Sequence, residues 1–193
     1  MAAMEPEVMT CRTAWDTMTA ITDGRTVRNF HADLDIDNYV VETDLFPRQV
    51  LDVYSDWNLE LPVSDDDHDR YFNAQRGGQQ GDYRAGMRNK VANVVDCLTR
   101  FPASKRAVIS VVADPAAHHS DTGNAKCLRE VHFNLDGDRL NGTVLFRSQA
   151  AEIFPKNIHF IGRLFAQIAS RLPGDVQPGT LHYLATMLVS DRF

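Results

Sequence analysis

Hydrophobic and polar residues alternate most regularly in the segment from Lys126 to Asn157. The alternating apolar residues of its first part are Val131, Phe133 and Leu135. A spacing of two is typical of a half-buried β-strand. The following Asp136-Gly137-Asp138 favours a tight turn, because glycine adopts positive φ without strain. The apolar residues up to Phe146 then predict an antiparallel return strand.

The same analysis divides the rest of the chain into helices, strands and loops. Predicted helices are Cys11–Ile21, Phe46–Trp57, Asn89–Thr99 and 158–171. Further predicted strands are His31–Val41, Ala107–Val112 and Gly179–Ala185. Predicted loops are Arg25–Asn29, the acidic run Ser64–Asp67, the glycine-rich Asn73–Gly86 and the polar Asp114–Asn124. Of these loops, Asn73–Gly86 is the best candidate for a mobile active-site loop.

Composition narrows the possible functions. The 193 residues are 44% hydrophobic and 24% charged, as expected for one globular domain spanning 1–193. No apolar run approaches membrane-span length and no signal segment is visible, so we expect a cytoplasmic protein without membrane contact. The net charge of −6 argues against nucleic-acid binding, although a local group of arginines could still bind a nucleotide. The three cysteines have the wide spacing of a reducing compartment and predict neither disulfides nor a metal site.

The hairpin predicts one pair of reactive residues. It brings Arg147 towards Cys127, 20 residues earlier in the chain (147 − 127). A neighbouring cation favours the thiolate form of cysteine, which is the nucleophilic form. The alternative is a buried strand cysteine beside a surface arginine that pairs with an acidic residue.

The order of these residues resembles that of thymidylate synthase and the pyrimidine nucleotide hydroxymethylases. That family has a nucleophilic cysteine that opens a strand, a hairpin, an Arg-Ser pair and then an asparagine. The matching residues here are Cys127, Arg147, Ser148 and, after a one-residue shortening, Asn157. Upstream, Asn93–Val111 resembles the family's helix, its Pro-x-Ser-Arg-Arg turn and the next strand. The resemblance covers 89–185 well and the first 88 residues loosely.

The resemblance implies a fold and an assembly. It implies an α/β fold in which a mixed, mainly antiparallel sheet is covered by helices. The other face of the sheet would pack against a second subunit in a homodimer. Apolar residues in 107–112 and 127–146 agree with this expectation, because a monomer would leave such a face wet.

The resemblance also implies residues that bind the substrate phosphate. Arg25 and Arg28 match a loop that closes over the phosphate, although they could equally be solvated loop charges. Lys105 and Arg106 match two basic residues that cross the dimer interface to the partner's phosphate. Arginine forks suit phosphate oxygens, and lysine serves as a point charge.

Two further positions are implied as catalytic. Tyr83, with Arg84 and Arg88, resembles the family's Tyr-Gly-x-x-x-Arg segment. The family's catalytic glutamate has no equivalent in Phe46–Trp57, so Gln49 or Asp52 would have to fill its place.

The chemistry implied is one-carbon transfer to C5 of a pyrimidine nucleotide, with 5,10-methylenetetrahydrofolate as the cofactor. Cys127 would add to C6, because C5 becomes nucleophilic only after such an addition. Arg147 would favour the thiolate and bind the phosphate, with Ser148 as a further donor. The Asn157 amide would bind the base edge, and could suit uracil or, flipped, cytosine.

Departures from the family pattern keep other functions open. The family's histidine after the nucleophile is Leu128, and its acidic residue after Arg-Ser is replaced within Gln149–Ala151. Its sugar-binding His-x-Tyr pair falls on Leu188 and Ser190. These changes favour a substrate other than deoxyuridylate, such as a cytidylate or a non-nucleotide metabolite of natural-product biosynthesis. A non-catalytic homologue is the third alternative.

Overall fold

The protein is described here by a computed structural model, which covers residues 7–73, 76, 78–111 and 126–191. The strands are β1 Met9–Thr10, β2 Val27–Asp35, β3 Val108–Ser110, β4 Leu128–Asp136, β5 Arg139–Phe146, β6 Gln149–Ala150 and β7 Gln177–Val189. The helices are α1 Cys11–Ile21, α2 Arg48–Asn58, α3 Asp65–Tyr71, α4 Met87–Arg100 and α5 Phe154–Ala169. Short 3₁₀ turns occupy Ile36–Asn38, Gly78–Gly81 and Ala151–Ile153.

The strands form one mixed sheet in the order β1-β2-β7-β5-β4-β3, and β6 pairs with β7. The pairs β2/β7, β4/β5 and β3/β4 are antiparallel, whereas β1/β2, β5/β7 and β6/β7 are parallel. The expected α/β fold with a mixed sheet covered by helices is therefore confirmed.

The predicted hairpin is confirmed as β4 and β5. Asp136 pairs with Arg139, and Gly137 between them has φ +60°. On the inner face of the sheet, apolar side chains from both strands are buried against the helices. They are Val131, Phe133, Leu140, Val144 and Phe146.

Helix α5 runs through the core. It begins at Phe154, four residues before the predicted start, with Pro155 in its first turn, where proline needs no amide hydrogen bond. Asn157 therefore lies inside the helix and not ahead of it. Glycine is needed at Gly162, because a Cβ there would lie 2.0 Å from the Tyr39 ring.

Several predicted boundaries were wrong. The predicted loop Arg25–Asn29 contains the start of β2, because Val27 and Arg28 pair with β7. The predicted strand His31–Val41 ends at Asp35, whose side chain accepts the Asp37 amide at 3.1 Å and begins a 3₁₀ turn.

The acidic run is not a loop either. Ser64 caps the N-terminus of α3, and the three aspartates occupy its first turn, where the helix dipole favours negative charge.

Some predicted loops fall partly or wholly outside the described residues. Asp114–Asn124, including His118 and His119, lies there entirely, as does the end of the predicted strand Ala107–Val112. Asn73–Gly86 is described in part.

The outer face of the sheet is mostly polar, contrary to the sequence argument for an apolar face. The apolar residues of β3, β4 and β5 mostly face the helices, because alternation directs them to one side. Leu145 and Leu184, which are register partners, lie among histidines and threonines, and Leu184 is 39% exposed. Within the described part of the chain, no helix is long and apolar enough to cross a membrane.

Candidate active site

The hairpin brings the predicted nucleophile and its cation together. Cys127 directly precedes β4, and Arg147 directly follows β5. The Arg147 amide donates to the Cys127 carbonyl at 2.8 Å, which extends the ladder beyond the Leu128–Phe146 pair. The Arg147 Nη2 atom lies 3.8 Å from the Cys127 Sγ atom. The thiol is half-buried and the arginine is exposed, so this pair lies at the protein surface.

Three buried tyrosines lie behind Cys127. Burial raises the pKa of Tyr54, Tyr83 and Tyr183, and the neighbouring Cys127 raises each pKa further. The Leu128 backbone hydrogen-bonds the Tyr83 hydroxyl and acts in the opposite direction. All three tyrosines therefore keep their protons at neutral pH, and the Tyr54 and Tyr183 hydroxyls serve as hydrogen-bond donors.

A buried chain of hydrogen bonds connects two of these tyrosines to the predicted base-binding residue. The Tyr54 hydroxyl donates to Asn157 Oδ1 at 3.1 Å or to the Gly81 carbonyl at 2.9 Å. Asn157 Nδ2 donates to Gln149 Oε1 at 2.9 Å, and the Tyr183 hydroxyl donates to the same oxygen at 2.7 Å. Gln149 Nε2 donates to the Ala150 carbonyl at 2.6 Å. The predicted Asn157 thus lies in one polar network with two tyrosines near Cys127.

Lys156 adds a buried amino group to this network. Its Nζ atom lies 4.5 Å from the centre of the Tyr54 ring, and its side chain is 1% exposed. Gly81 leaves room for the side chains of Lys156 and Tyr54. A Cβ at this position would lie 2.7 Å from Lys156 Nζ and 2.9 Å from the Tyr54 hydroxyl. A glycine in the predicted mobile loop is thus required by close packing.

Asp52 is not placed with this group, which corrects its assignment to the site of the missing glutamate. Its carboxylate contacts Arg48 at 3.2 Å and Arg163 at 3.4 Å, and it lies 3.6 Å from His159 Nε2. Residues two apart on a helix point roughly 200° from each other, so Asp52 and Tyr54 face opposite sides of α2. Gln49, the other suggestion, is exposed on the same helix. Tyr54 is the α2 side chain that reaches Asn157.

Arg28 lies at the same end of the sheet as Arg147. It pairs in register with Met187, and the Arg147 carbonyl accepts from Thr186 Oγ1 at 2.5 Å. The two arginines therefore flank one strand, β7, with backbones about 10 Å apart. Arg25 lies four residues beyond the end of α1, and its Nε donates to the Ile21 carbonyl at 2.6 Å.

Lys105 and Arg106 are not brought to Cys127 of the same chain. They precede β3, and the Phe133 amide donates to the Ala107 carbonyl at 2.8 Å, so they lie level with the far end of β4. That end is roughly 20 Å from Cys127 along the strand. Ser148 follows Arg147 and is half-buried.

An aromatic group lies beside Tyr54. The Phe72 ring stacks on Tyr54 at 5.4 Å and on His68 at 5.1 Å. His68 lies 4.0 Å from Trp57, and the Arg84 guanidinium lies 4.1 Å from the Trp57 ring. This group provides flat aromatic surface next to the polar network.

Sequence reasoning missed Tyr54, Tyr183, Lys156 and the positional role of Gln149. The only local signal was a polar pair, Tyr54 and Asn58, four residues apart on one face of α2. Nothing local marks a buried lysine in an apolar helix as part of a site. Among the described residues, no group of three or more potential ligands could hold a metal ion.

Comparison with known proteins supports the fold. No protein-family model matches this sequence, and no curated protein matches it. The crystal structure of thymidylate synthase from T4 phage is similar, with a TM-score of 0.65 and 15% sequence identity over 92% of this chain and 75% of that chain. At this identity the similarity shows the fold alone, which is thymidylate synthase-like.

Proposed function

We propose that this protein transfers a one-carbon unit to C5 of a pyrimidine nucleotide through a covalent adduct of Cys127 with C6. The observation that carries the proposal is the contact between the Cys127 thiol and Arg147, at 3.8 Å, within a thymidylate synthase-like fold. A guanidinium in contact with a half-buried thiol can orient the sulfur and stabilise the negative charge on it during nucleophilic attack.

The arrangement of arginines supports an anionic substrate. Arg28 and Arg147 flank the same end of β7, and Arg25 lies between α1 and β2. Guanidinium groups bind phosphate oxygens through paired hydrogen bonds. Ser148, next to Arg147, would donate a further hydrogen bond. The protein as a whole carries a net charge of −6, so this local cationic group would act against the general charge.

The proposed reaction follows from the residues near Cys127. The thiolate attacks C6, a carbon–sulfur bond forms, and the π electrons of the C5–C6 bond move so that C5 becomes nucleophilic. After C5 has gained the one-carbon unit, a water molecule acting as the base would take the C5 proton, and the electrons of that bond would expel the Cys127 thiolate. Tyr83 holds its proton, since burial raises its pKa, so we assign it hydrogen-bond donation and not proton abstraction.

5,10-Methylenetetrahydrofolate would supply the one-carbon unit. The aromatic group of Trp57, His68 and Phe72 suits its flat pterin ring, because stacked rings gain energy beyond their buried area. Arg84, already against Trp57, would lie close to the negatively charged part of a folate. The product would carry a methyl group if the tetrahydrofolate also supplied a hydride, or a hydroxymethyl group if water added to the transferred carbon.

We also propose that the active form is a homodimer. Lys105 and Arg106 lie at the far end of β4 from their own Cys127, so they could serve a substrate phosphate only from a partner subunit. Sedimentation at micromolar concentration should therefore give a dimer. Replacing both residues with alanine should weaken nucleotide binding by about 1.5–3 kcal/mol for each charge-assisted hydrogen bond removed. A monomer with unchanged binding would refute this assembly.

The proposal is tested with a 5-fluoropyrimidine nucleotide and methylenetetrahydrofolate. Fluorine at C5 cannot leave as a proton, so the covalent adduct should accumulate and appear in the intact-protein mass. The adduct should form in the wild type and in Cys97→Ser, and it should be absent in Cys127→Ser. No adduct in the wild type, or an adduct that persists in Cys127→Ser, would refute the mechanism.

One observation favours a second candidate substrate. The family's sugar-binding pair falls on Leu188, which is fully buried and apolar, and on the exposed Ser190. A buried leucine cannot hydrogen-bond a sugar hydroxyl, which favours a metabolite without the deoxyribose group. Such a substrate would react at Cys127, but its binding would not depend on a phosphate group. If the protein is instead a non-catalytic homologue, Cys127→Ser would leave its function unchanged.

A further inference from the structure

The Asn157 carboxamide has fixed partners on both sides. Asn157 is 2% exposed, Gln149 is 1% exposed and Tyr183 is fully buried, so water does not compete for these groups. Buried polar groups need partners of the correct type, since an unmatched donor or acceptor loses its hydrogen bond to water without replacement.

The direction of each hydrogen bond follows from the Ala150 carbonyl. A carbonyl oxygen can only accept, so the Gln149 atom 2.6 Å away must be the nitrogen. Gln149 Oε1 then faces two groups, the Tyr183 hydroxyl at 2.7 Å and Asn157 at 2.9 Å. Tyr183 keeps its proton, because burial raises its pKa, so it donates to this oxygen. Asn157 must therefore also turn its nitrogen towards Gln149.

A flipped Asn157 would place its oxygen against Gln149 Oε1 at about the same separation. Two acceptors would then face each other in a buried site, and neither could find water. The Tyr54 hydroxyl, 3.1 Å from Asn157 Oδ1, can donate to that oxygen or to the Gly81 carbonyl 2.9 Å away, so it accepts either orientation. Gln149 is thus the neighbour that fixes the orientation.

We infer that Gln149 is a positioning residue that locks the Asn157 amide in one orientation, so that the site accepts only one of the two pyrimidine base types. Uracil presents a donor at N3 and an acceptor at position 4, and cytosine presents the reverse. With the ring held by the Cys127 bond and the phosphate, an amide can match both bases only by flipping. This inference rests on the proposed function, and it replaces the sequence-based expectation that the amide could serve either base.

The test compares the affinities of deoxyuridine and deoxycytidine monophosphates by calorimetry. The wild type should prefer one of them by about tenfold or more, the ratio that one mismatched buried hydrogen bond produces. The variant Gln149→Met removes the lock and should bring the ratio towards one. The variant should change only the discrimination between the two bases. Inorganic phosphate should therefore compete with the nucleotide as strongly as in the wild type.

Gln149→Met leaves the Tyr183 hydroxyl without its acceptor and could unfold the protein. The double variant Gln149→Met with Tyr183→Phe avoids this, and Tyr183→Phe alone is the matched control because it keeps the contact between Gln149 and Asn157. The control should keep the wild-type ratio, and the double variant should lose it. Thermal unfolding checks that each variant is folded.

The outcomes separate the inference from the function on which it rests. Equal wild-type affinities, or a ratio that survives in the double variant, would overturn the lock while the proposed function stands. If neither nucleotide binds the wild type, the proposed function fails and the lock fails with it.

Discussion

Helix α2 carries two polar clusters on opposite faces, and they differ in what they contact. On one face, Tyr54 and Asn58 reach Gly81 and Asn157, next to the half-buried Cys127. On the other face, Ser55 and the two aspartates of α2 contact α5. Those contacts are Ser55 with His159 at 2.7 Å, Asp52 with Arg163 at 3.4 Å and Asp56 with Arg163 at 2.7 Å.

The difference shows why charge alone is a poor guide to the site. The second cluster resembles catalytic machinery, because a serine contacts a histidine, which in turn lies close to an aspartate. However, Ser55 and His159 are fully buried, so no substrate could reach the hydroxyl. Its contacts join two helices, and we assign it to packing. The first cluster contains no carboxylate, yet it adjoins the half-buried Cys127 and the exposed Arg147.

The strongest test of this contrast compares a replacement of Cys127, beside the first cluster, with a replacement of Asp52 in the second cluster. Cys127→Ser should lower C5 proton exchange by several orders of magnitude, because a hydroxyl without a base is barely nucleophilic. Asp52→Asn should leave the exchange near the wild-type rate. Tritium release from C5 measures both. If Asp52→Asn is as inactive as Cys127→Ser, the division between the two faces of α2 is wrong.

Thiol reactivity gives the next largest effect. Burial, and then the nearby Asp35, raise the pKa of Cys11 to about 12. Compared with a free thiol near 8.5, Cys11 should form about 10³-fold less thiolate and should not react with iodoacetamide in the folded protein. Cys127 should react, and Arg147→Ala should slow it. Peptide mass spectrometry after timed labelling identifies each site. Labelling of Cys11 at the rate of Cys127 would contradict the assignment.

The packing cluster should make stability depend on pH. Burial lowers the pKa of His159 from 6.5 to about 4, although Asp52 attracts the charged form. As the pH falls through this window, the unfolded chain binds a proton that the native histidine does not. The free energy of unfolding should therefore fall by on the order of 3 kcal/mol, and this stability is fully present only above pH 6.5.

The control for this pH effect is His159→Asn, which keeps a polar atom near Ser55 but cannot titrate. Burial raises the pKa of Asp56, which acts in the opposite direction and is common to both proteins. Urea unfolding at pH 7 and pH 4.5 should show a smaller pH effect in the variant. Equal pH effects would show that His159 does not contribute.

The smallest expected effect is the difference in nucleotide binding between variants of two adjacent residues of α2. Tyr54→Phe and Ser55→Ala each remove one buried hydroxyl and should each cost about 1–3 kcal/mol of stability. Only Tyr54→Phe should also weaken nucleotide binding, because its hydroxyl supports Asn157. Urea unfolding and calorimetry measure the two effects. Weaker binding in Ser55→Ala alone would reverse the functional assignment of the two faces.

Much of the fold could be predicted from local patterns. Alternation in 128–146 and glycine at 137 specify the hairpin, and its register alone places Arg147 beside Cys127. Helices α1 and α4 show apolar spacing close to their observed bounds. The similarity of residue order to a known family also predicted the sheet. Most of these features depend on neighbours in sequence, which is why a pattern can reveal them.

Other features were decided only by contacts between distant segments. Pairing with β7 extends β2 back to Val27 and places Arg28 on the other side of β7 from Arg147. The orientation of α2 against α5 directs Tyr54, and not Asp52, to Asn157, 103 residues away. The Gln149 amide is oriented by the adjacent Ala150 carbonyl, but its partners Asn157 and Tyr183 come from α5 and β7. A sequence pattern shows which face of an element is polar, but only packing decides what that face meets.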